Sequence, residues 1–197
     1  MTFERLRKAL AARTPRDFDP STLVAAELPP GGLAHASVLV PLLVRDGAPC
    51  VLLTRRHRHL PRHPGQVSFP GGRNDPGEES LAAALREAHE EIALEPDKAE
   101  VLGRLDETLV LASPFRLTPW VARVPYPYPY AGHPGEVDGI LYVPLAALLG
   151  PGAHHVERHG AYGAQHEVHV YEVEGARIFG ATAAVLWQLL EAWRTVG

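Results

Sequence analysis

The sequence predicts an α/β fold in which a mixed β-sheet is flanked by helices. Three observations carry that prediction. Apolar, β-branched runs at 36–44 (ASVLVPLLV) and 50–54 (CVLLT) read as strands, and Asp46-Gly47 between them reads as a hairpin turn. Amphipathic stretches of helical period occur at both ends and in the middle of the chain. The strands and helices alternate without the regular rhythm of a doubly wound parallel sheet.

In chain order, Phe3, Leu6 and Leu10 have helical spacing, so the first residues read as a surface helix laid on the body of the protein. Residues 14–33 are rich in proline, glycine and aspartate and read as a loop. Residues 1–33 are therefore expected to be a helix and loop packed on a domain that spans 34–197. After the hairpin comes a loop rich in arginine, histidine and proline (55–66). A short strand follows at Val67-Ser68-Phe69, then a Pro-Gly-Gly turn and a helix over about 79–93. Further strands are expected near 99–110, 117–124, 137–143 and 166–173. PYPYPYAGHPG (125–135) reads as a loop, because every second residue through its first half lacks a backbone donor. ATAAVLWQLLEAWRT (181–195) reads as a closing amphipathic helix. There is no internal repeat.

Composition narrows the function classes. With 46% hydrophobic and 21% charged residues, the chain has enough apolar material for a good core. A net charge of −4 gives no electrostatic reason to expect nucleic acid or an anionic membrane as a partner. The single cysteine, Cys50, excludes an internal disulfide and fits a reducing compartment. No apolar run reaches the length of a membrane span, and MTFERLRKALAAR lacks the apolar core of a secretory signal, so a cytoplasmic location is expected. Histidines gather at 57–63 and 154–159, but without cysteines or the usual ligand spacing they do not suggest structural zinc.

The chemistry concentrates in REAHEE (86–91). On a helix advancing about 100° per residue, with Glu87 at zero, Leu81, Ala84, Leu85, Ala88 and Ile92 fall on a core-facing stripe. Glu90 and Glu91 lie within about 60° of Glu87, on a different face. Three carboxylates at i, i+3 and i+4 destabilise an isolated helix by about 0.2–0.5 kcal/mol per pair, which Arg86 offsets only in part. Taken alone, such a face is either a solvated surface or an oxygen-rich site for a hard divalent cation.

The wider pattern favours the cation. Gly72 is followed by five residues, Glu78, seven residues, and then Arg86-Glu87-Ala88-His89-Glu90-Glu91-Ile92-Ala93-Leu94. This resembles the Nudix box, G-x5-E-x7-R-E-U-x-E-E-x-G-U, where U is a bulky aliphatic residue. Ala88 is a small occupant of its position. Ala93 replaces the last glycine, where alanine is disfavoured at a left-handed helix end, so the exit turn is expected to differ locally. Upstream, LLTRRHRHLPRHPGQVSFPGG (52–72) is similar to the signature preceding the box in coenzyme A pyrophosphatases, approximately LLTxRSxxLxxHxGxVxFPGG. His57 stands where that pattern has serine. FRLTPWVARV, HPGEVDGILYVPLAAL and IFGATAAVL resemble later segments of the same subfamily, so the likeness covers about 34–190.

The resemblance implies a Nudix α/β/α sandwich and hydrolysis of a diphosphate with Mg²⁺ or Mn²⁺. It implies Glu87 and Glu91 as main metal ligands, with Glu90 sharing and the Gly71 carbonyl adding an oxygen. Glu78 and Arg86 would be an ion pair that holds the loop on the helix and orients Glu87. The general base would be Glu90, within the box, or Glu136, on the later loop. Arg56 and His63 fall on the upstream signature. With Arg55 and Gly72 they are the expected substrate contacts, and Arg58 and Arg62 extend a basic lip suited to a polyanion. The implied reaction converts coenzyme A or its thioesters to 3′,5′-ADP and (acyl-)4′-phosphopantetheine. ADP-ribose or NADH is the rival substrate, and a catalytically silent nucleotide sensor is the rival of another class. The resemblance also admits a homodimer, for which no segment supplies an interface.

Overall fold

The computed structural model describes residues 3–23, 32–161 and 164–195. The predicted hairpin is formed by β1 (Ala34–Arg45) and β2 (Ala48–Arg56). Its turn residues Asp46 and Gly47 both have positive φ, 51° and 80°, which suits a tight turn whose twist matches the strands. Along β1, Val38, Val40 and Leu42 enter one apolar core and Leu39 and Leu43 enter another on the opposite side. A strand buried on both faces reads as a continuous apolar run, as this one does.

β1 is central. Along one edge it runs parallel to β7 (Phe115–Arg123), from Ala34 opposite Phe115 to Leu42 opposite Arg123. Its other edge is divided. The C-terminal part, Leu42 to Arg45, pairs with β2, and the N-terminal part, Ala36 to Val38, pairs with β4 (Gly71–Arg73). Beyond its pairing with β1, β2 pairs with β3 (Val67–Ser68), and its opposite edge carries β8 (Val137–Pro144) from Cys50 to Arg56. The split opens the sheet at Gly71-Gly72, and α2 (Ser80–Ile92) leaves from that point to pack on β1 and β4. β5 (Glu100–Arg104) and β6 (Thr108–Val110) complete the mixed sheet on β7.

The sheet has helices over both faces. Leu39, Leu43, Cys50 and Leu52 meet Ala84, Ala88 and Ile92 of α2. On the far side the larger core joins Leu6 and Leu10 of α1 (Phe3–Ala11) and Leu145 and Leu148 of the short α3 (Leu145–Leu148) to Leu186, Leu189 and Trp193 of α4 (Ala181–Arg194). A second, antiparallel sheet of β9 (His154–Ala161), β10 (Ala164–Val173) and β11 (Ala176–Phe179) supplies Tyr171 and Ile178 to the same core. The fold is thus the expected mixed α/β sandwich. The N-terminal helix shares this core. Leu10 fills the space beside Gly103, where a Cβ would stand 2.8 Å from its own. Residues 24–31 of the predicted 14–33 loop lie outside the described residues. Among the described residues no helix is long and apolar enough to cross a membrane.

Three local expectations are corrected. The strand expected over 99–110 is two strands, because Asp106 between them is buried and takes hydrogen bonds from Arg13 and Arg16. β9 falls in a stretch with no predicted strand. Its sequence, HHVERHGA, is mostly exposed and carries no apolar alternation to announce it. The Pro-Gly-Gly turn itself contributes β4.

Candidate active site

Two glycines begin the site. Gly71 has φ 156°, and a Cβ there would lie 2.4 Å from the Ser37 carbonyl oxygen of β1. A Cβ on Gly72 would lie 2.5 Å from the Glu87 carboxylate. Both positions need glycine because strand, helix and carboxylate meet there.

Arg86 ties the loop to the helix. Its Nε and Nη2 donate to the two oxygens of Glu78 at 2.9 and 3.0 Å, a bidentate pair. Nη2 also donates to the Arg73 carbonyl at 3.2 Å, and Nη1 donates to Glu87 Oε1 at 2.8 Å. Glu90 is more distant, at 3.4 Å from Nη1. Glu78 Oε2 accepts the Asp75 backbone N–H at 2.9 Å and so closes the loop on itself. The Arg86 hydrogen bonds are the main reason the Glu78 carboxyl is held below its ordinary range, and they raise Arg86 in return.

Glu91 is the exceptional carboxylate. The helical wheel set it with the exposed charges, yet it is 5% exposed. α2 presses Ala83 as well as Ala84 and Ala88 into the protein, so its buried arc extends beyond the predicted stripe and takes in Glu91. Burial pushes Glu91 up to about 8, against the lowering field of Arg56, with Glu87 and Glu136 raising it further. Burial also raises Glu87, opposed by Arg86 and reinforced by Glu90 and Glu136. Glu136, some forty-five residues further along the chain, therefore shares one electrostatic neighbourhood with the helix carboxylates.

Backbone contacts account for that approach. The His133 N–H donates to the Glu91 carbonyl at 2.9 Å and the Ala131 N–H to that of Ile92 at 3.2 Å, so the 125–135 loop satisfies the free end of α2. The Glu136 carbonyl accepts the His57 N–H at 2.8 Å. The exit turn itself keeps the left-handed form. Ala93 has φ 55° and ψ 30°, with its N–H bonded to the His89 carbonyl. The expectation that alanine would alter this turn is corrected. Tyr128 Oη donates to the Ala93 carbonyl and accepts from the Glu95 N–H, which helps hold the residue there.

Next to the two glycines is a cleft of about 420 Å³, whose described lining includes none of Glu78, Glu87, Glu90, Glu91 or Glu136. Gly71 and Gly72 form part of its wall, together with Arg56, His63, Arg62 and Arg73. Arg56 Nε is buried and finds no acceptor among the described residues. His63 has φ 55°, a conformation few side chains adopt without support from their surroundings. Arg55 is not among the lining residues, as expected of the neighbour of an inward-facing strand residue. Arg58 is likewise absent from the lining. The sequence reading overlooked Arg73, which follows Gly72 at a variable position of the motif. It also overlooked His159, which sits on the unpredicted strand β9.

Among the described residues, no three histidine, cysteine, aspartate or glutamate side chains converge as they stand to hold an ion. Glu87 is turned onto Arg86 instead. The donor set nonetheless suits a hard divalent cation. Its side-chain donors are all carboxylate oxygens in one shared field, with Glu91 carrying a burial cost that a neighbouring cation would relieve.

Comparison with known proteins matches the NUDIX domain to residues 33–162. NudL of Yersinia pestis (strain Pestoides F), described as an uncharacterized Nudix hydrolase, is 40% identical over 158 residues, covering 80% of this chain and 78% of its own length. NudL of Yersinia pseudotuberculosis serotype O:1b (strain IP 31758) matches equally well. Among solved structures, the Nudix hydrolase RenU of M. smegmatis is similar in fold at 23% identity, with a TM-score of 0.51 over 60% of this chain and 74% of that one.

Proposed function

As the chain belongs to the Nudix family, we propose that it hydrolyses the diphosphate of coenzyme A or its thioesters, giving 3′,5′-ADP and (acyl-)4′-phosphopantetheine. Membership of the family makes it a Nudix hydrolase of the pyrophosphatase type. What supports the coenzyme A reading is one cleft wall that joins Gly71 and Gly72, the latter packed against the Glu87 carboxylate, to Arg56 and His63, the two cationic or titratable residues of the upstream signature.

Nudix hydrolases generally use divalent metals. Here Glu87, Glu91, Glu90 and the Gly71 carbonyl would hold Mg²⁺ or Mn²⁺, which supplies charge neutralisation at the phosphates and acidifies water. The chain's own residues do the rest. Arg86, fixed by Glu78, sets the direction of the Glu87 carboxylate. Arg56 brings an unpaired guanidinium N–H toward an anion, and His63 stands in the same wall. The bare backbone of Gly71-Gly72 lets a phosphate approach closely. Water attacks phosphorus as a P–O bond of the anhydride breaks, and the water's proton passes to a carboxylate. Glu136 fits that role better than Glu90, since its charge reaches both Glu87 and Glu91 while Glu90 is 3.4 Å from Arg86.

The test is a substrate panel with Mg²⁺ or Mn²⁺, comparing kcat/KM for coenzyme A, its thioesters, ADP-ribose and NADH. Preference for coenzyme A compounds is expected. Preference for ADP-ribose or NADH would overturn the substrate reading, and tight nucleotide binding with no product in either metal would favour a silent sensor.

A further inference from the structure

Nothing in the hydrolysis step needs the tyrosines of PYPYPY (125–130), yet they stand between two elements it does need, α2 and the segment that carries Glu136. At the helix end, Tyr128 Oη donates to the Ala93 carbonyl at 3.2 Å and accepts the Glu95 N–H at 3.1 Å, so one hydroxyl serves an acceptor and a donor of the turn after α2. On its other side the Tyr128 ring stands 4.7 Å from that of Tyr130. Tyr130 and Tyr126 both reach Tyr142 of β8, at 6.4 and 5.6 Å between ring centres. Tyr130 Oη donates to the Pro125 carbonyl at 2.8 Å. A row of rings thus ties the sheet to the end of the helix.

Backbone bonds continue that row to Glu136. The Tyr130 N–H donates to the Tyr128 carbonyl at 2.8 Å and the Glu136 N–H to the His133 carbonyl at 3.0 Å, with the Ala131 and His133 N–H groups bonded to α2 between them. At Gly132 the loop folds back so closely that a Cβ would lie 2.8 Å from a methyl carbon of Val137, the neighbour of Glu136. Glu136 itself is exposed, and among the described residues its carboxylate has no hydrogen-bond or ion-pair partner. The charges of Glu87 and Glu91 repel it. The place of this carboxylate is therefore set by its loop, and Tyr128 is the side chain that fastens the loop to the turn after α2. We propose that Tyr128 is a positioning residue for the general base: its hydroxyl pins the 125–135 loop to the end of α2 and so fixes where Glu136 meets the attacking water. The inference rests on the reading of Glu136 as that base.

Tyr128→Phe keeps the ring in its row and removes only the hydroxyl. The experiment measures kcat, KM and the Mn²⁺ concentration for half-activation in wild type, Tyr128→Phe, Glu136→Gln and the double variant, on the substrate that the panel prefers. A reacting group misplaced by about 1 Å can cost on the order of 10²-fold in rate, and with the backbone bonds retained Tyr128→Phe is expected to lower kcat about tenfold, leaving KM and Mn²⁺ activation near those of wild type. In the Glu136→Gln background the same substitution is expected to cost nothing further, because no base is left to position. Wild-type kcat in Tyr128→Phe, or an equal loss in both backgrounds, overturns the positioning role, while a slow Glu136→Gln keeps Glu136 as the base. A loss that comes with weakened Mn²⁺ activation in both backgrounds traces Tyr128 to α2 instead and overturns the role as well. If Glu136→Gln turns over at the wild-type rate, or no substrate of the panel is hydrolysed, the base reading falls and the positioning role with it.

Discussion

Arg86 and Glu78 are joined by two parallel hydrogen bonds of 2.9 and 3.0 Å, across seven intervening residues. That fork closes the loop between β4 and α2 and leaves Nη1 free to direct Glu87. A lysine keeps the charge but cannot make the fork. Arg86→Lys and Glu78→Gln should therefore lower kcat by roughly 10–100-fold and move metal activation to higher Mn²⁺ concentration, since the loss would act through the orientation of Glu87, the proposed ligand. Circular dichroism should show the fold retained. Activation at the wild-type Mn²⁺ concentration in both variants would remove the positioning role.

Glu91 makes the metal-free protein lose stability as pH rises from acid toward neutral. Its folded-state pKa, about 8, lies above its ordinary 4.5. Between those values the folded protein holds a proton that the unfolded chain has lost, so rising pH favours unfolding. Stability is fully present below about 4.5 and drains as pH climbs to about 8, with a slope of at most about 1.4 kcal/mol per pH unit for one proton. Urea unfolding in EDTA across that range should show the decline, and Glu91→Gln should flatten it. An equal slope in the variant would show that another group is responsible.

Ala93 occupies a left-handed conformation that favours glycine, at φ 55°. An L-residue there costs about 1–2 kcal/mol. Ala93→Gly should stabilise the protein by about 1 kcal/mol, part of the relief being offset by the freer unfolded chain. Thermal unfolding should rise by about 2–4 °C, the response expected for a domain of this size. Destabilisation would mean that the Ala93 methyl makes contacts worth more than the strain.

The same residue shows why sequence reading works unevenly. The acidic motif and its partner Gly72 were legible because phosphate and cation chemistry require particular residues at fixed spacing. The hairpin was legible because Asp46-Gly47 and the apolar runs act locally. The helical end at Ala93 was misread because its geometry is imposed from elsewhere, by the Tyr128 hydroxyl and the backbone of the 125–135 loop. Burial of Glu91 was invisible for a related reason: helical period gives direction around one helix, and only the packing of α2 on β1 and β4 decides how wide the buried arc is. β9 left no pattern because it is a mostly exposed strand of histidine, glutamate and arginine. His159, which that strand brings to the cleft, was lost with it.

Glu136 and Glu90 are the two carboxylates proposed to take the attacking water's proton, and they can be separated. Glu90 is more than half exposed and lies 3.4 Å from Arg86, so its charge is already partly answered. Glu136 is carried to the carboxylate cluster by a loop whose backbone is bonded to the end of α2 and to His57. Glutamine at the general-base position should cut kcat by roughly 10²–10⁴-fold and abolish the acidic limb of the kcat–pH profile while leaving KM near that of wild type. That is the expected outcome for Glu136→Gln. Glu90→Gln should retain the limb and weaken Mn²⁺ activation instead. A reversed pattern, with the limb lost only in Glu90→Gln, would move the base into the helix and leave Glu136 an ordinary loop residue.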